Sequence, residues 1–296
     1  MKMPGRLLTA MVTPFTESGE VDYEQAKKLA LALLDSGSDG LVLAATTGES
    51  PTLSWEEEMR LFTEVKSVVG DRGSIVAYTG SNSTSEAIEA TREAEKIGVD
   101  ACLSVVPYYN KPTQEGIYQH FKAIAESSHI PVIMYNIPSR VVINMTVDTI
   151  VRLSKIGPII GVKEASGNME HVAQTINGVG EDFFVWSGND NDTFHIVALG
   201  GYGTIGVATH LVGKQIKEMM DGILENDVKK AAAIHRHLVP LVGSLFVEPN
   251  PAPLKYALNH LGFSVGKPRL PLVEPSEQSQ AKIAEMLEKY TIDLPI

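Results

Sequence analysis

The chain has 296 residues, of which 44% are hydrophobic and 21% charged, as is ordinary for a folded globular protein of one large or two modest domains. Lysine and arginine number 25 against 36 acidic residues, and this net charge of −11 argues against a nucleic-acid partner, which needs a basic stripe. No apolar run is long enough for a membrane span and no signal-peptide cleavage pattern follows the N-terminus, so a cytoplasmic protein with no membrane role is predicted.

Short apolar runs alternate with helical patterns along most of the chain. Eight runs are strand candidates, which in chain order are LLTAMVTPF, GLVLAATTG, SIVAYTG, ACLSVVPYY, PVIMYNIP, IIGVKEAS, FFVWSGN and GTIGVATH. Among the helical segments between them, SWEEEMRLFTEVKSVV and STSEAIEATREAEKIG each begin with serine and carry glutamate in the first turn. From about residue 224 only helical patterns follow, in ENDVKKAAAIHRHLVPLVGSLF, PAPLKYALNHLG and SEQSQAKIAEMLEKY.

This alternation predicts the fold class. Strands that are apolar throughout and are each followed by a helix are typical of a parallel sheet covered on both faces. Eight repeats within roughly 220 residues favour a closed (β/α)8 TIM barrel over an open doubly wound sheet. We therefore predict an α/β fold in which residues 1–223 form the barrel and residues 224–296 form a C-terminal helical appendage packed on it.

A lysine interrupts the sixth strand candidate, IIGVKEAS. Lys163 follows four apolar or small residues, and a buried ammonium group is costly unless it is paired or has lost its proton. A desolvated lysine has a lowered pKa and is an amine nucleophile, which condenses with a keto group to form a Schiff base. The alternative is an ordinary strand-end lysine that extends to solvent. The polar residues at the other strand ends favour the nucleophile.

Active sites of this fold lie at the C-terminal ends of the strands and in the loops that follow. Those ends carry Thr46-Thr47-Gly48-Glu49, Tyr108-Tyr109-Asn110, Tyr135-Asn136 and Ser187-Gly188-Asn189. Tyr135 is placed to donate and accept protons at a Schiff base, and Thr46 and Tyr109 would pass them to water. The backbone N–H groups around Gly48 are predicted to bind a carboxylate at a helix start, and Arg140 a second carboxylate.

Other side-chain sets indicate no competing cofactor. The eight histidines are scattered and neither an HExxH motif nor a Cys/His cluster is present, so no catalytic metal is predicted. The run GYGTIG (201–206) matches GxGxxG, but a helical pattern precedes it and a strand pattern follows, which is the reverse of a dinucleotide site. We interpret it as a turn into strand eight. The single cysteine, Cys102, is interpreted as a buried strand residue rather than as a nucleophile.

Six motifs carry a resemblance to a known family. They are TTGESPTLS, PYYNKPTQEG, YNIPSR, GVKEASGN, WSGND and EPNPAPLKYAL, and they span essentially the whole chain in order. Together they resemble the dihydrodipicolinate synthase (4-hydroxy-tetrahydrodipicolinate synthase) family of the pyruvate-dependent class I aldolase superfamily. The lysine motif alone would indicate only the superfamily.

The resemblance implies a lyase of lysine and diaminopimelate biosynthesis that needs no cofactor. Pyruvate would form an imine with Lys163, and the derived enamine would attack the aldehyde of L-aspartate-4-semialdehyde to give 4-hydroxy-tetrahydrodipicolinate. The resemblance also implies a homotetramer built as a dimer of dimers, in which Tyr109 reaches the site of the neighbouring subunit. The implied roles are a proton relay for Tyr135, Thr46 and Tyr109, pyruvate-carboxylate binding for Thr47, semialdehyde-carboxylate binding for Arg140, and pocket-lining carbonyls for Gly188 and Ile205.

Two regions bear on how closely this chain follows the family. Ala45 stands where the family usually has glycine before the Thr-Thr pair, which adds one methyl group beside the carboxylate pocket. Regulated members of the family bind L-lysine as a feedback inhibitor. Among members, the residues of that region differ most at the positions of Trp55 and Glu58, so sensitivity of this chain to lysine is a hypothesis. The corresponding set in this chain is Ser50, Trp55, Glu58, Asn82, Glu86 and Tyr108.

Two alternatives stay open at this point. A sister lyase acting on N-acetylneuraminate or a 2-keto-3-deoxy sugar acid would share the lysine and one tyrosine, although the threonine pair, the arginine of YNIPSR and the double tyrosine favour the synthase. A non-catalytic sensor of pyruvate or lysine is the alternative from another class. Turnover on both substrates separates the sensor from the enzymes.

Overall fold

Eight strands close into a barrel in the computed structural model, which describes residues 3–296. The strands are β1 (Leu7–Ala10), β2 (Gly40–Leu43), β3 (Ser74–Tyr78), β4 (Ala101–Val105), β5 (Val132–Asn136), β6 (Ile159–Glu164), β7 (Phe184–Ser187) and β8 (Gly203–Gly206). The strands follow one another around the barrel in chain order. Strands β1 and β2 pair in parallel, and so does each neighbouring pair from β3–β4 to β7–β8. The predicted (β/α)8 fold is confirmed, because each of the eight apolar runs contains one barrel strand.

Helices separate the strands and continue after the last of them. Within residues 3–296 they are α1 (Tyr23–Asp35), α2 (Trp55–Val69), α3 (Thr84–Ile97), α4 (Gln114–Glu126), α5 (Pro138–Val141), α6 (Val147–Leu153), α7 (Met169–Gly178), α8 (Thr193–Ala198), α9 (Thr209–Leu224), α10 (Val228–Ser244), α11 (Ala252–His260) and α12 (Glu277–Leu287). The three helical patterns predicted after residue 224 are confirmed as α10, α11 and α12. None of the helices in the described part of the chain is long and apolar enough to cross a membrane.

The chain forms two compact units. One comprises Ile75–Ile205 together with the segment that ends at Arg6, and it holds β4 to β7 and α3 to α8. The other comprises Leu7–Ser74 and Gly206–Ile296, and it holds β1, β2, α1, α2 and α9 to α12. The division predicted from the sequence, at residues 223 and 224, follows chain order instead and stays a prediction.

The two helix starts predicted from serine differ in their hydrogen bonding. At α2, the Ser54 hydroxyl accepts from the Glu57 N–H and the Glu57 carboxylate accepts from the Ser54 N–H, which is a complete capping box. At α3, Ser83 occupies the N-cap position, but its hydroxyl pairs with the Ser85 hydroxyl at 3.0 Å and makes no capping bond. The start of α3 is therefore as predicted, while its side-chain cap is absent.

Both short-motif interpretations agree with the structure. The GYGTIG segment leaves α8 and enters β8, where the Thr204 N–H donates to the Arg6 carbonyl at 2.8 Å. That carbonyl lies so close to Gly203 that a side chain there would overlap it, which explains the glycine. Cys102 is fully buried in β4, and burial raises the pKa of its thiol to about 12, which agrees with its interpretation as a buried strand residue.

Candidate active site

Lys163 lies near the C-terminal end of β6 and is buried, with 5% of its surface exposed. It pairs in register with Tyr135 on β5. Its ammonium nitrogen lies 4.3 Å from the centre of the Tyr135 ring. The lysine and the tyrosine that the sequence selected therefore face each other in adjacent strands.

The surroundings of Lys163 make it easier to deprotonate than an ordinary lysine. Burial lowers the pKa of Lys163 to about 8; the negative charge of Asp190 opposes this shift and the positive charge of Arg140 adds to it. Arg140 itself is exposed, in the last turn of α5. The sequence analysis did not select Asp190. Its place two residues after Gly188, at the end of a strand, could have indicated that it belongs to the site.

Gly188 lies directly against the lysine. A Cβ atom at this position would stand 3.1 Å from Lys163 Cγ and 2.7 Å from the Ala165 Cβ. The Gly188 N–H donates to the Glu164 carbonyl at 2.7 Å, which ties the end of β7 to β6. The glycine therefore leaves room for the lysine side chain. Ile205, the other predicted pocket-lining residue, is fully buried in β8.

A buried polar network lies on the other face of the same two strands. Successive strand residues point to opposite faces, so Asn136 and Glu164 point away from the face of Tyr135 and Lys163. The Asn136 amide donates to Glu164 Oε2 at 2.9 Å, and His171 Nε2 of α7 lies 3.5 Å from the same oxygen.

Those contacts keep Glu164 ionised. Burial alone would raise the pKa of Glu164, but the nearby His171 ring and hydrogen bonds from Ser166 and Asn136 bring it below its ordinary value. Sequence reasoning missed this network, because nothing in the sequence shows that α7 returns His171 to β6.

Tyr109 lies on the surface, unlike the buried Lys163 and Tyr135. Its side chain is 90% exposed, and its backbone adopts a left-handed conformation with φ of 71°. Tyr108 beside it is 39% exposed, and the Asn110 side chain donates to the Asn82 carbonyl at 2.8 Å. The double tyrosine thus lies on a tightly turned surface loop. The predicted reach of Tyr109 into a neighbouring subunit stays a prediction.

The other compact unit holds the threonine turn, which we define as residues 46–49. Thr47 is buried and its hydroxyl accepts a hydrogen bond from the Asn250 amide at 2.9 Å, whereas Thr46 is half-buried and Ala45 is buried. The expected helix start at Gly48 is wrong, because a short 3₁₀ turn occupies 50–52 and α2 begins only at Trp55. The backbone is left-handed at Glu49, with φ of 60°, and extended at Leu53 and Ser54, so no continuous α-helix runs from Gly48 into α2.

The residues of the predicted lysine set divide between the two units. In one unit, Trp55 is 39% exposed, and burial raises the pKa of Glu58 to about 7 although a hydrogen bond with Ser50 opposes the shift. In the other unit, the Glu86 carboxylate accepts from the Ser81 hydroxyl at 2.7 Å. Asn82 and Tyr108 of that unit lie in the loop contacts described above.

Comparison with known proteins decides the family. A sequence model of the Dihydrodipicolinate synthetase family matches residues 3–290. This chain belongs to that family. A 4-hydroxy-tetrahydrodipicolinate synthase from Dehalococcoides mccartyi is 63% identical over 296 residues, which is 100% of both chains.

Solved structures of family members share the fold. A dihydrodipicolinate synthase from Bacillus anthracis superposes with a TM-score of 0.96 at 43% identity and covers 98% of this chain and 99% of its own. A family member from Cyanidioschyzon merolae, solved with lysine bound, gives a TM-score of 0.94 at 44% identity and covers 96% and 97%. Membership of the Dihydrodipicolinate synthetase family confirms the resemblance drawn from the six motifs and identifies the chain as an enzyme of the lyase type.

In this family member, no three His, Cys, Asp or Glu side chains within residues 3–296 lie together as a metal site would require. The prediction that catalysis needs no metal stays a prediction.

Imine formation with pyruvate is expected to accelerate as the pH rises towards about 8 and to level off above it. Only the neutral amine attacks a keto group, and burial sets the pKa of Lys163 at about 8 rather than at the ordinary 10.5. At pH 7 about a tenth of Lys163 is then neutral, since one pH unit below the pKa leaves about that fraction deprotonated. The rate of borohydride-trapped adduct formation at subsaturating pyruvate, followed from about pH 6 to about pH 10, measures this.

Asp190→Asn is the matched control for that profile. The Asp190 carboxylate raises the pKa of Lys163, so its removal should shift the levelling-off point to lower pH. A rate that keeps rising to the ordinary lysine pKa of 10.5 in both proteins would contradict the assignment.

Proposed function

We propose that this chain condenses pyruvate with L-aspartate-4-semialdehyde to give 4-hydroxy-tetrahydrodipicolinate, through an imine on Lys163. The observation that carries the proposal is the buried lysine, its pKa lowered to about 8, facing Tyr135 across two barrel strands. The 63% identical relative is a 4-hydroxy-tetrahydrodipicolinate synthase, which supports the choice of substrates.

The proposed reaction begins at the neutral Lys163 amine. The amine attacks the keto carbon of pyruvate and water leaves, giving the imine. Loss of a proton from the methyl group gives the enamine, whose carbon attacks the aldehyde of the second substrate. The amino group of that substrate then attacks the imine carbon, which closes the ring and releases Lys163 as the free amine. Apart from this covalent link, we propose that no cofactor takes part.

Each step moves a proton, and we assign these transfers to three hydroxyl groups. Tyr135 would serve the imine directly, while Thr46 and Tyr109 would relay protons to water. Thr47 would bind the pyruvate carboxylate, and the exposed guanidinium of Arg140 would bind the semialdehyde carboxylate as a two-pronged donor. Gly188 and Ile205 would line the pocket through their backbone carbonyls.

We also propose a cytoplasmic homotetramer, assembled as a dimer of dimers and inhibited by L-lysine. The 90% exposed Tyr109 side chain, with Tyr108 beside it 39% exposed, supports an interface at that loop, because aromatic residues are enriched at interfaces between proteins. The lysine bound to the Cyanidioschyzon merolae relative supports lysine binding. From the resemblance we assign this binding to Ser50, Trp55, Glu58, Asn82, Glu86 and Tyr108.

Substitution of Arg140 by alanine tests the choice of acceptor. The variant is expected to lose roughly 10- to 100-fold in kcat/KM for L-aspartate-4-semialdehyde while still forming the pyruvate adduct, because a hydrogen bond to a charged group contributes about 1.5–3 kcal/mol. Steady-state kinetics on both substrates, together with borohydride trapping of pyruvate, measure the two effects separately.

Arg152→Ala is the matched control, since Arg152 is an arginine of the same unit that pairs with Glu115 on the outer helices. It should leave both quantities unchanged. Wild-type protein that turns over N-acetylneuraminate or a 2-keto-3-deoxy sugar acid, and leaves the semialdehyde untouched, would overturn the proposal.

A further inference from the structure

The threonine turn is held by side chains from distant parts of its own unit. The Thr47 hydroxyl accepts from the Asn250 amide at 2.9 Å. Two residues later, the Glu49 carboxylate forms an ion pair with Lys255 Nζ at 2.6 Å. Asn250 and Lys255 both belong to the segment that forms α11 and the residues just before it. A single C-terminal segment therefore contacts the turn at two points.

The Glu49–Lys255 pair is buried on both sides. Each side chain has only 1% of its surface exposed. Lys255 Nζ also lies 3.9 Å from the centre of the Phe15 ring and donates to the Lys267 carbonyl at 3.4 Å. Removing two charges from water costs about as much as their attraction returns, so a buried pair of this kind is weak support for stability. A role in fixing one conformation accounts for it better.

The conformation that the pair fixes is an unfavourable one. Glu49 has a left-handed backbone with φ of 60°, which few residues other than glycine adopt. Its second carboxylate oxygen accepts from the Arg269 N–H at 2.9 Å, so both oxygens of the side chain are engaged.

A second ion pair extends the hold to the helix after the turn. The Arg269 guanidinium forms two parallel bonds with the Glu57 carboxylate of α2, at 2.5 and 2.7 Å. It also donates to the Thr52 carbonyl at 2.7 Å, just after the turn. Arg269 thus connects Glu49 to the start of α2.

We infer that Lys255 is a positioning residue of the active site, which holds the threonine turn through Glu49 in the conformation that presents Thr46 and Thr47 to pyruvate. This inference rests on the proposed function, in which Thr47 binds the pyruvate carboxylate. Lys255 itself does not touch substrate; it acts through the turn.

Two variants test the inference. Lys255→Met keeps the length of the side chain and removes its charge, while Glu49→Gln keeps the acceptor for the Arg269 N–H and removes the ion pair. In both, KM for pyruvate is expected to rise about tenfold, which corresponds to about 1.4 kcal/mol, while KM for the semialdehyde stays unchanged. Lys255→Arg, which retains the charge, should recover most of the pyruvate affinity.

Two controls separate positioning from general destabilisation. Lys217→Met removes a lysine of the same unit from a 2.6 Å ion pair with Asp39, and Leu238→Ala opens a cavity in α10 that lowers the melting temperature. Lys217 lies in α9 and Leu238 in α10, outside the segment that binds the threonine turn, and KM for pyruvate should not change in either variant. If Lys255→Met does not fold, Glu49→Gln answers the question, because glutamine has nearly the same size and shape as the glutamate it replaces.

The outcomes distinguish this inference from the proposed function. Folded Glu49→Gln protein with wild-type KM for pyruvate would overturn the inference alone. So would a rise in KM no larger than that of Leu238→Ala. Wild-type protein that forms no pyruvate adduct would overturn the proposed function, and the inference with it.

Discussion

Lys163→Met is expected to abolish the borohydride-trapped pyruvate adduct and to lower kcat/KM for the condensation by at least about 10³-fold, or about 4 kcal/mol. Methionine matches the length of lysine and is compatible with a buried position, so the barrel should stay folded. What it removes is the amine, without which neither imine nor enamine forms. Peptide mapping of the trapped protein and steady-state kinetics measure the two losses.

Lys255 is a second buried lysine, and peptide mapping is needed to show which of the two carries the adduct. It is also buried, with a pKa that burial lowers to about 8, so burial and pKa alone do not distinguish it from Lys163. Lys255 is held in a 2.6 Å ion pair with Glu49, whereas Lys163 faces the ring of Tyr135. The adduct should therefore map to Lys163, with the mass of one pyruvate less water plus two hydrogens.

Lys163→Arg provides the second arm of this experiment. It keeps a positive charge at the same strand position but offers no amine that forms an imine with a keto acid. It should be as inactive as Lys163→Met, with Asp190 still beside a cation. An adduct on Lys255 in wild-type protein, or turnover by either variant within about tenfold of wild type, would refute the mechanism.

The sequence was informative wherever local pattern decides structure. Apolar runs alternating with helical patterns predict a barrel because each strand needs cover on both faces, and IIGVKEAS indicates Lys163 because a lysine is out of place in such a run. The helix expected at Gly48 was wrong because the backbone is left-handed at Glu49 and extended at Leu53. The groups that bind the Glu49 carboxylate, Lys255 and the Arg269 N–H, lie far away in the sequence, so the local pattern does not indicate them.

The residues that the sequence did not indicate share a property: their function depends on a distant partner. Asp190 matters because its charge reaches Lys163, and Asn250 matters because its amide reaches Thr47. The sequence around Asp190 and around Asn250 does not indicate which residue each of them contacts. Long-range contacts of this kind follow from the closed topology, which the pattern predicts as an architecture but not at the level of individual side chains.

Tyr135→Phe is expected to lower kcat by roughly 10²- to 10³-fold, with a much smaller effect on KM for either substrate. Phenylalanine keeps the aromatic ring 4.3 Å from Lys163 Nζ and removes only the hydroxyl group that would carry the proton. The variant should therefore bind pyruvate and form the adduct slowly, rather than fail to form it. Single-turnover trapping, which times the appearance of the adduct, separates slow proton transfer from lost binding.

Tyr118→Phe is the matched control for this hydroxyl. Tyr118 also carries a cation above its ring, with the Arg152 guanidinium 4.1 Å from the centre, but it lies on α4, outside the barrel strands. It should leave kcat unchanged. Slow adduct formation in Tyr135→Phe, with Tyr118→Phe as fast as wild type, would support the proton-transfer role, because both variants lose one phenol and keep one cation–aromatic contact. If both variants react at the wild-type rate, the proton is carried by another group and Tyr135 serves only to pack against Lys163.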